Sequence, residues 1–530
     1  MGRKILFLAV VSFLILVGFL PIFSMIVRTI WVNGRFSILF YKDLLLSVKT
    51  WKLLWHSFLL SFITTFLTTI VGVPLGIIFS RTDLPLRRFF VISFTIPLLI
   101  PPYIVAVSWF NILGRNGVIS MIFGKWVGNV TSNLLFGLPG CVLVLFSTFL
   151  PIVILLSMAH LRGIDPKLEE SGRLVTGWLG VLRKITIPLI LPGILFASVL
   201  VFLFTFGELG VPLFLRYDVF PVESFTQFSA FYNFEYATAA SVPFVVITFF
   251  VLLIEKKIQK NGLSIHFLPT SYFREYNVIK LHSHKTWIFL LIVFLSLVIV
   301  FIPFIVLFFR SLPLDIYREA LLRVGDSLFR SFWYSFLGAT ILTLVGLFTG
   351  ALIHMDFFGL SSFLDSFTVY VFALPGTVIG IGLIDLWNHR LTNFIYGTFL
   401  IIILGYVAKY VVLTSRITVS SLSRIPQEVE DAARIVGAKW FKRFVMIDLP
   451  LIKRGILMGW LVGFIFCLRD VGITMLVYPP GKDTLSVRIF TLMANGSYEM
   501  ISALCVIMVF SVILSIFMGT ILLKFVRSDL

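Results

Sequence analysis

Asp165–Leu189 reads DPKLEESGRLVTGWLGVLRKITIPL, and Ile425–Leu451 reads IPQEVEDAARIVGAKWFKRFVMIDLPL. Each stretch is a charged island between long apolar runs. Each closes on a proline, Pro188 or Pro450, that the pattern places at the opening of the next run. The same polar loop in both halves of an apolar chain offers two equivalent handles to a symmetric partner.

Outward from these islands, the 530-residue chain is 59% hydrophobic and only 13% charged, with a mean hydropathy of +1.05. A water-soluble fold cannot hide that much apolar surface, so the chain is an all-α polytopic membrane protein. A helical span needs roughly 20 apolar residues. That length rule predicts about twelve spans, centred near Leu16, Thr68, Leu99, Phe146, Leu200, Thr248, Leu297, Leu342, Leu374, Leu404, Leu461 and Ile513. The stretch Ile5–Val27 is long enough to span and lacks an A-x-A-like cleavage site, so it is expected to be a retained first helix. The formal charge of +18 does not point to nucleic acid. Lys and Arg gather in the two islands and around Lys256–Lys260, which marks the inner side of a membrane protein. Both termini are accordingly expected in the cytoplasm. Cys141, Cys467 and Cys505 all fall in predicted spans and suggest neither a disulfide nor a metal framework.

The halves align beyond the islands. SFLLSF at Ser57 matches SFWYSF at Ser331, Gly72 and Gly76 match Gly346 and Gly350, and Pro101-Pro102-Tyr103 matches Pro375-Gly376-Thr377, all 274 residues apart. Pro188 and Pro450, and FGELGV at Phe206 and LRDVGI at Leu468, are 262 apart, so the second half carries deletions between these blocks. Six spans per half give both copies the same orientation, hence two parallel six-helix repeats rather than an inverted pair. The expected organisation is a first transmembrane domain at 1–255 with its loop at 162–188, a polar linker at 256–286, and a second domain at 287–530 with its loop at 417–450.

Within each island the local physics predicts two short helices. Asp165-Pro166 and Ile425-Pro426 suit helix starts. Glu169, Glu170, Glu430 and Asp431 fall near helix N-termini, where the macrodipole favours negative charge. Gly177 and Gly437 permit a sharp turn. The second helix carries Trp178, Leu179 and Leu182, or Trp440, Phe441 and Phe444, flanked by Arg183, Lys184, Lys442 and Arg443. An apolar ridge with basic flanks suits docking into a partner's groove. An amphipathic helix lying on the bilayer surface has the same composition, but not the same reason to occur twice at matching positions.

The second island resembles the EAA motif of ABC importer permeases, E-A-A-x3-G-x9-I-x-L-P. Asp431, Ala432, Ala433, Gly437, Ile447, Leu449 and Pro450 fill it, with Asp in place of Glu. The first departs from it, with Glu170-Ser171-Gly172, Thr176 where the glycine is expected, and Gly177 one place late. Two permease units in one polypeptide, with IPLLIPPYIVAVSWF (Ile96–Phe110) and LRDVGITMLVYPPGKDTLSVRIF (Leu468–Phe490), are similar to ferric-iron-type importer permeases. The wider group includes thiamine, polyamine and phosphonate importers. The resemblance implies a type I ABC importer transmembrane fold in a bacterial inner membrane. It also implies two copies of an ABC ATPase subunit seated on the islands, and a periplasmic or lipid-anchored substrate-binding protein on the other side.

The chain contains no G-x-x-x-x-G-K-[ST] phosphate cradle. No cofactor is therefore expected in it, and ATP-Mg is expected on the partner subunit. No clustered ligand set suggests an enzyme or a resident metal. Charges inside spans are costly enough to mark function. Glu208 and Asp470 are repeat-related, Arg469 adjoins Asp470, and Lys409 and Asp385 lie in other spans. Two readings of the carboxylates stand open: a path for a cationic cargo such as ferric iron, or internal neutralisation, for example of Glu208 by Arg469 or Lys409. Tyr103 and Thr377 follow helix-disturbing Pro/Gly steps, as residues lining a cavity often do. A secondary transporter driven by an ion gradient is the rival class, and it gives no reason for amphipathic loops in both halves.

Overall fold

The computed structural model describes residues 2–32, 35–231, 233–261, 279–312, 314–356 and 359–528. Apolar runs of this length leave the backbone no water to bond, so each satisfies its own amides as a helix. Eight principal helices make up the first half: α1 (Phe7–Ile30), α2 (Val48–Arg81), α3 (Arg87–Leu99), α4 (Pro102–Leu113), α5 (Leu138–Arg162), α6 (Pro166–Val175), α7 (Trp178–Phe206) and α8 (Phe234–Asn261). The second half repeats them in order: α9 (His282–Arg310), α10 (Leu314–His354), α11 (Ser361–Ala373), α12 (Gly376–Trp387), α13 (Leu400–Leu422), α14 (Gln427–Ile435), α15 (Trp440–Leu468) and α16 (Tyr498–Ser528). Among the described residues eleven helices are long and apolar enough to cross a membrane, or twelve with α11 and α12 taken as one bent span. The all-α, two-repeat reading therefore holds.

Two expected spans are not straight. Leu99 ends α3 and Leu374 lies between α11 and α12, which meet at 102°. Pro101 and Pro375 hold extended backbone, and the residues before them, Ile100 and Leu374, are extended as well. Proline forbids the α region to its predecessor and removes a donor, so the helix stops and restarts in a new direction. The shift in repeat offset is also explained. Between α4 and α5 lie 24 residues carrying helices Val118–Phe123 and Lys125–Leu135, whereas between α12 and α13 lie 12 residues carrying only Asn393–Tyr396.

The loop boundaries need correction. Pro188 and Pro450 do not open new helices, because α7 and α15 already start at Trp178 and Trp440. A π turn precedes each proline, with Ile187 N–H donating to the Leu182 carbonyl and Leu449 N–H to that of Phe444. The wider turn absorbs the donor that proline lacks, so the helix passes through unbroken. Residue 417 lies inside α13 rather than at a loop edge. The linker is shorter than 256–286, since α8 runs to Asn261 and α9 begins at His282. Its interior, 262–278, lies outside the described residues. Its exit is tied down at Asp83, which accepts from the Leu281 amide at 3.0 Å and from Lys285 Nζ at 2.9 Å. These two donors hold the Asp83 carboxyl below its ordinary range.

Within each half α2, α5 and α7, or α10, α13 and α15, pack together. The first and last long helices reach across: α1 packs on α12 of the second half, and α9 on α4 of the first. Arg28 of α1 pairs with Asp385 of α12 at 2.7 Å, and Ser24 donates to the same carboxylate. Asp385 is thereby spent on joining the halves.

Small residues set the helix spacing. Ser57, Ser61, Thr64, Thr68, Gly72 and Gly76 form one buried stripe on α2, and Ser331, Ser335, Ala339, Thr343, Gly346 and Gly350 form its counterpart on α10. A Cβ at Gly350 would sit 2.5 Å from the Ser415 carbonyl oxygen, and one at Gly72 2.7 Å from Val153 Cβ. Gly350→Leu should destabilise the purified chain by about 1–3 kcal/mol through overpacking, seen as a lower midpoint in thermal unfolding. Gly325→Ala, on the same helix with open space around it, should leave the midpoint unchanged or slightly raised.

Candidate functional site

Two features are built from the repeat, a central cavity and a pair of loops at one end.

The cavity forms where the broken pairs α3–α4 and α11–α12 meet the ends of α7 and α15. It has a volume of about 130 Å³, and Tyr103, Glu208, Thr377, Arg469 and Asp470 all line it, together with Lys409 and Tyr410. The five residues singled out in the sequence, from four separate segments, thus converge on one space. Asp385 is not among them.

Glycine controls how closely the two halves approach here. A Cβ on Gly207 would lie 2.6 Å from Pro375 Cγ, and one on Gly376 would lie 2.9 Å from the Gly472 carbonyl carbon. The first contact closes the space between the first half's α7 and the second half's broken pair, and the second closes α12 onto the end of α15 within the second half.

The carboxylates have local work. Asp470 Oδ1 accepts from the amides of Ile473 and Thr474 at 3.2 and 3.0 Å and from Thr474 Oγ1 at 2.9 Å, while Oδ2 accepts from Tyr410 OH at 2.7 Å. It caps the short helix Thr474–Val477, as Asp suits that position. Glu208 does the same for Gly210–Phe214, accepting from Gly210 N–H at 3.0 Å. The expected direct pairing of Glu208 with Arg469 or Lys409 is not present: among the described residues no ion pair within 4.0 Å joins them, although both cations lie within electrostatic range of Glu208. The Arg469 guanidinium lies 4.8 Å from the Phe466 ring centroid. Tyr410 was missed in the sequence reading. Its position next to Lys409, a charge in an apolar run, was the available signal.

At the loop end the first handle is fixed by an ion pair between Arg81, the last residue of α2, and Glu169 of α6. The Nε–Oε2 distance is 3.3 Å and the side chains are 1% and 2% exposed. Thr186 Oγ1 also donates to Glu169 at 2.9 Å, and Arg81 donates to the Leu161 carbonyl at 2.8 Å. Glu169 therefore does more than complement a helix dipole. Arg81, which only its place at the end of an apolar run could have flagged, is its partner.

The second handle is fastened differently. Met355, at the position of Arg81, accepts from Trp440 Nε1 on its sulfur at 3.0 Å. Arg443 Nε lies 3.7 Å from Asp448, at the position of Thr186, and both are buried. Arg443 is therefore not the exposed basic flank expected, whereas Arg183 is exposed. Gly437 has a φ of +77° and Gly177 does not have a positive φ. Only the second turn demands glycine, as its motif register implies.

The expected apolar ridge is split. Phe444 is buried, Trp440 stacks on it at 5.4 Å, and Trp178 lies under the Arg173 guanidinium at 4.5 Å. What stands free is Leu174, Val175 and Leu179 on one handle and Ile435, Val436 and Phe441 on the other, between 64% and 90% exposed. Leu174, Val175, Ile435 and Val436 precede the turn and were missed, because they read as the end of an amphipathic helix. Glu170, Asp431, Ala432 and Pro450 are exposed and Ala433 is buried. The side chain of Glu430 lies outside the described residues.

Two parallel helical halves around a shared polar cavity, with matching loops at one end, define a multi-pass membrane permease. Residues 343–530 match the family of binding-protein-dependent transport system inner membrane components, and the chain belongs to that family. It is 21% identical to the ferric transport system permease protein FbpB of Actinobacillus pleuropneumoniae over 81% of this chain and 65% of that one. With the Fe(3+)-transport system permease protein FbpB 2 of Haemophilus influenzae it shares 23% identity over 92% of both chains. With the molybdenum transport system permease protein ModB of Escherichia coli it shares 31% over 34% of this chain and 79% of that one.

Removing one member of a buried ion pair strands the other. Glu169→Ala should cost about 3–5 kcal/mol, measured by chemical denaturation, and should expose the Asp165–Thr186 segment to protease. Arg183→Ala, at an exposed site on the same handle, should do neither.

Proposed function

We propose that this chain is the membrane-spanning permease of an ATP-driven importer, with ferric iron as the metal it carries inward by alternating access. The observation that carries the reading is the pair of exposed apolar tips, Leu174–Val175–Leu179 and Ile435–Val436–Phe441, at matching positions of the two halves. An exposed apolar pair held on a rigid mount is a docking surface, and two such surfaces suit two copies of an ATPase subunit. Those subunits bind ATP-Mg, while this chain supplies no nucleotide chemistry. The loop end and both termini then face the cytoplasm, and the opposite end receives a substrate-binding protein.

The closing of the ATPase pair draws the two tips together. Through the fastenings at Arg81–Glu169 and Trp440–Met355, that motion reaches α2 and the end of α10. α2 and α7, and likewise α10 and α15, pack against each other, so the tips and the cavity walls move as connected bodies. The Gly207–Pro375 and Gly376–Gly472 contacts are where the cavity parts to admit cargo.

Iron is preferred because the two ferric-transport relatives match 81% and 92% of this chain, while the molybdenum relative matches 34% of it.

The test is uptake by proteoliposomes holding the chain with its ATPase and binding protein. Leu174→Ser with Val175→Ser, or Ile435→Ser with Val436→Ser, should cut ATP-dependent iron uptake at least tenfold. The thermal midpoint of the chain should not change, since these side chains are already in solvent. Undiminished uptake in both variants, or uptake driven by an ion gradient without ATP, would overturn the proposal.

A further inference from the structure

The cavity's unused hydrogen-bonding capacity includes donors as well as the second oxygen of Glu208. Asp470 already accepts four hydrogen bonds and Glu208 one. The donors are different. Arg469 Nη1 is shut off from solvent and has no hydrogen-bond partner among the described residues, and the Thr377 hydroxyl is in the same condition. Lys409 Nζ lies 6.0 Å from the Tyr410 ring centroid, with Asp470 and Glu208 in electrostatic range. A buried donor without an acceptor costs free energy, although Glu208 and Asp470 lie within electrostatic range of both cations.

The donors also break the symmetry of the repeat. Glu208 and Asp470 are equivalent, but Arg469 stands where the first half has Gly207, and Lys409 where it has Ser147. The second half alone supplies the cations. Fixing the fold does not require them, because the first half builds the same elements without them.

We propose that the cavity takes a small oxyanion, bound by Arg469 and Lys409 with the Thr377 hydroxyl as a third donor. Iron therefore crosses as an oxyanion complex rather than as a bare cation. About 130 Å³ accommodates a group of that size, equal to the share of liquid volume of about four waters. Guanidinium donors match oxyanion geometry. The carboxylates hold the walls and are not metal ligands. This rests on the permease reading above and assigns the chemistry of its cargo.

Proteoliposomes with the complete importer would be supplied with three cargoes under ATP: ferric ion with inorganic phosphate, ferric ion loaded on the binding protein in oxyanion-free buffer, and inorganic phosphate alone. Radioactive iron and radioactive phosphate are counted separately. The expected result is that phosphate accumulates with iron, and that iron uptake falls at least tenfold without the oxyanion. Arg469→Gln and Lys409→Gln should each lower uptake at least tenfold, with partial recovery in Arg469→Lys. Phosphate uptake without iron would uphold the anion site while overturning iron as the metal carried. Equal iron uptake with and without oxyanion, or full uptake in both charge-removing variants, would overturn the anion site and leave the permease reading intact. If a variant fails to assemble, the tracer comparison on the unaltered chain still decides.

Discussion

Every other feature of this molecule depends on how closely its helices can approach. In a bilayer the hydrophobic effect does not drive one apolar helix onto another, because lipid is as apolar as leucine. What remains is van der Waals contact, which decays within a fraction of an ångström, so the backbone surfaces must come near. The stripe from Ser57 to Gly76 on α2 and that from Ser331 to Gly350 on α10 allow this. They bring α5 and α13 in, and α13 carries Lys409 and Tyr410 to the cavity. The same economy recurs at Gly207, where the halves meet, and at Gly376, within the second half. A side chain at Gly207 would hold the halves apart.

Much of this was legible from residue order. Twelve apolar runs, two parallel repeats and two polar loops needed only length and periodicity. So did the grouping of Tyr103, Glu208, Thr377, Arg469 and Asp470 as candidates, since charge in a span and a Pro step in a span both announce themselves. What stayed hidden involved distance or direction. Periodicity does not say that α11 and α12 turn by 102°, or that Asp385 finds Arg28 on a helix 357 residues away. It does not separate Trp440, which packs inward, from Phe441 beside it, which does not. The π turns before Pro188 and Pro450 were hidden for a related reason. Proline signals a break, but a wide turn placed just upstream removes the clash, and the helix continues.

The repeat is close in backbone and loose in electrostatics. π turns, breaks and caps recur at matching positions, and Ser57 and Ser331 even accept the same kind of bond, from Phe220 N–H and Leu485 N–H. The fastenings of the handles differ. The first uses a buried ion pair, which is costly to break singly. The second uses a sulfur contact, a stacked aromatic pair and a longer ion pair. The two handles thus share a backbone and differ in the side chains that hold it.

The cavity shows what such freedom permits. A cation within a span costs up to about 3 kcal/mol. If Arg469 and Lys409 served only to neutralise Glu208 and Asp470, they would be expected to touch them, since Coulomb attraction strengthens steeply at short range in a poorly solvated site. They do not. Asp470 is instead satisfied by N–H and O–H donors of its own neighbourhood, and Glu208 accepts from the Gly210 amide. The remaining positive charge is balanced overall by the two carboxylates but left unbonded locally. Such an arrangement holds its donors ready without a large net field, so a small oxyanion can enter, bond and leave again. A cavity with stronger net charge would hold its cargo too long to pass it on.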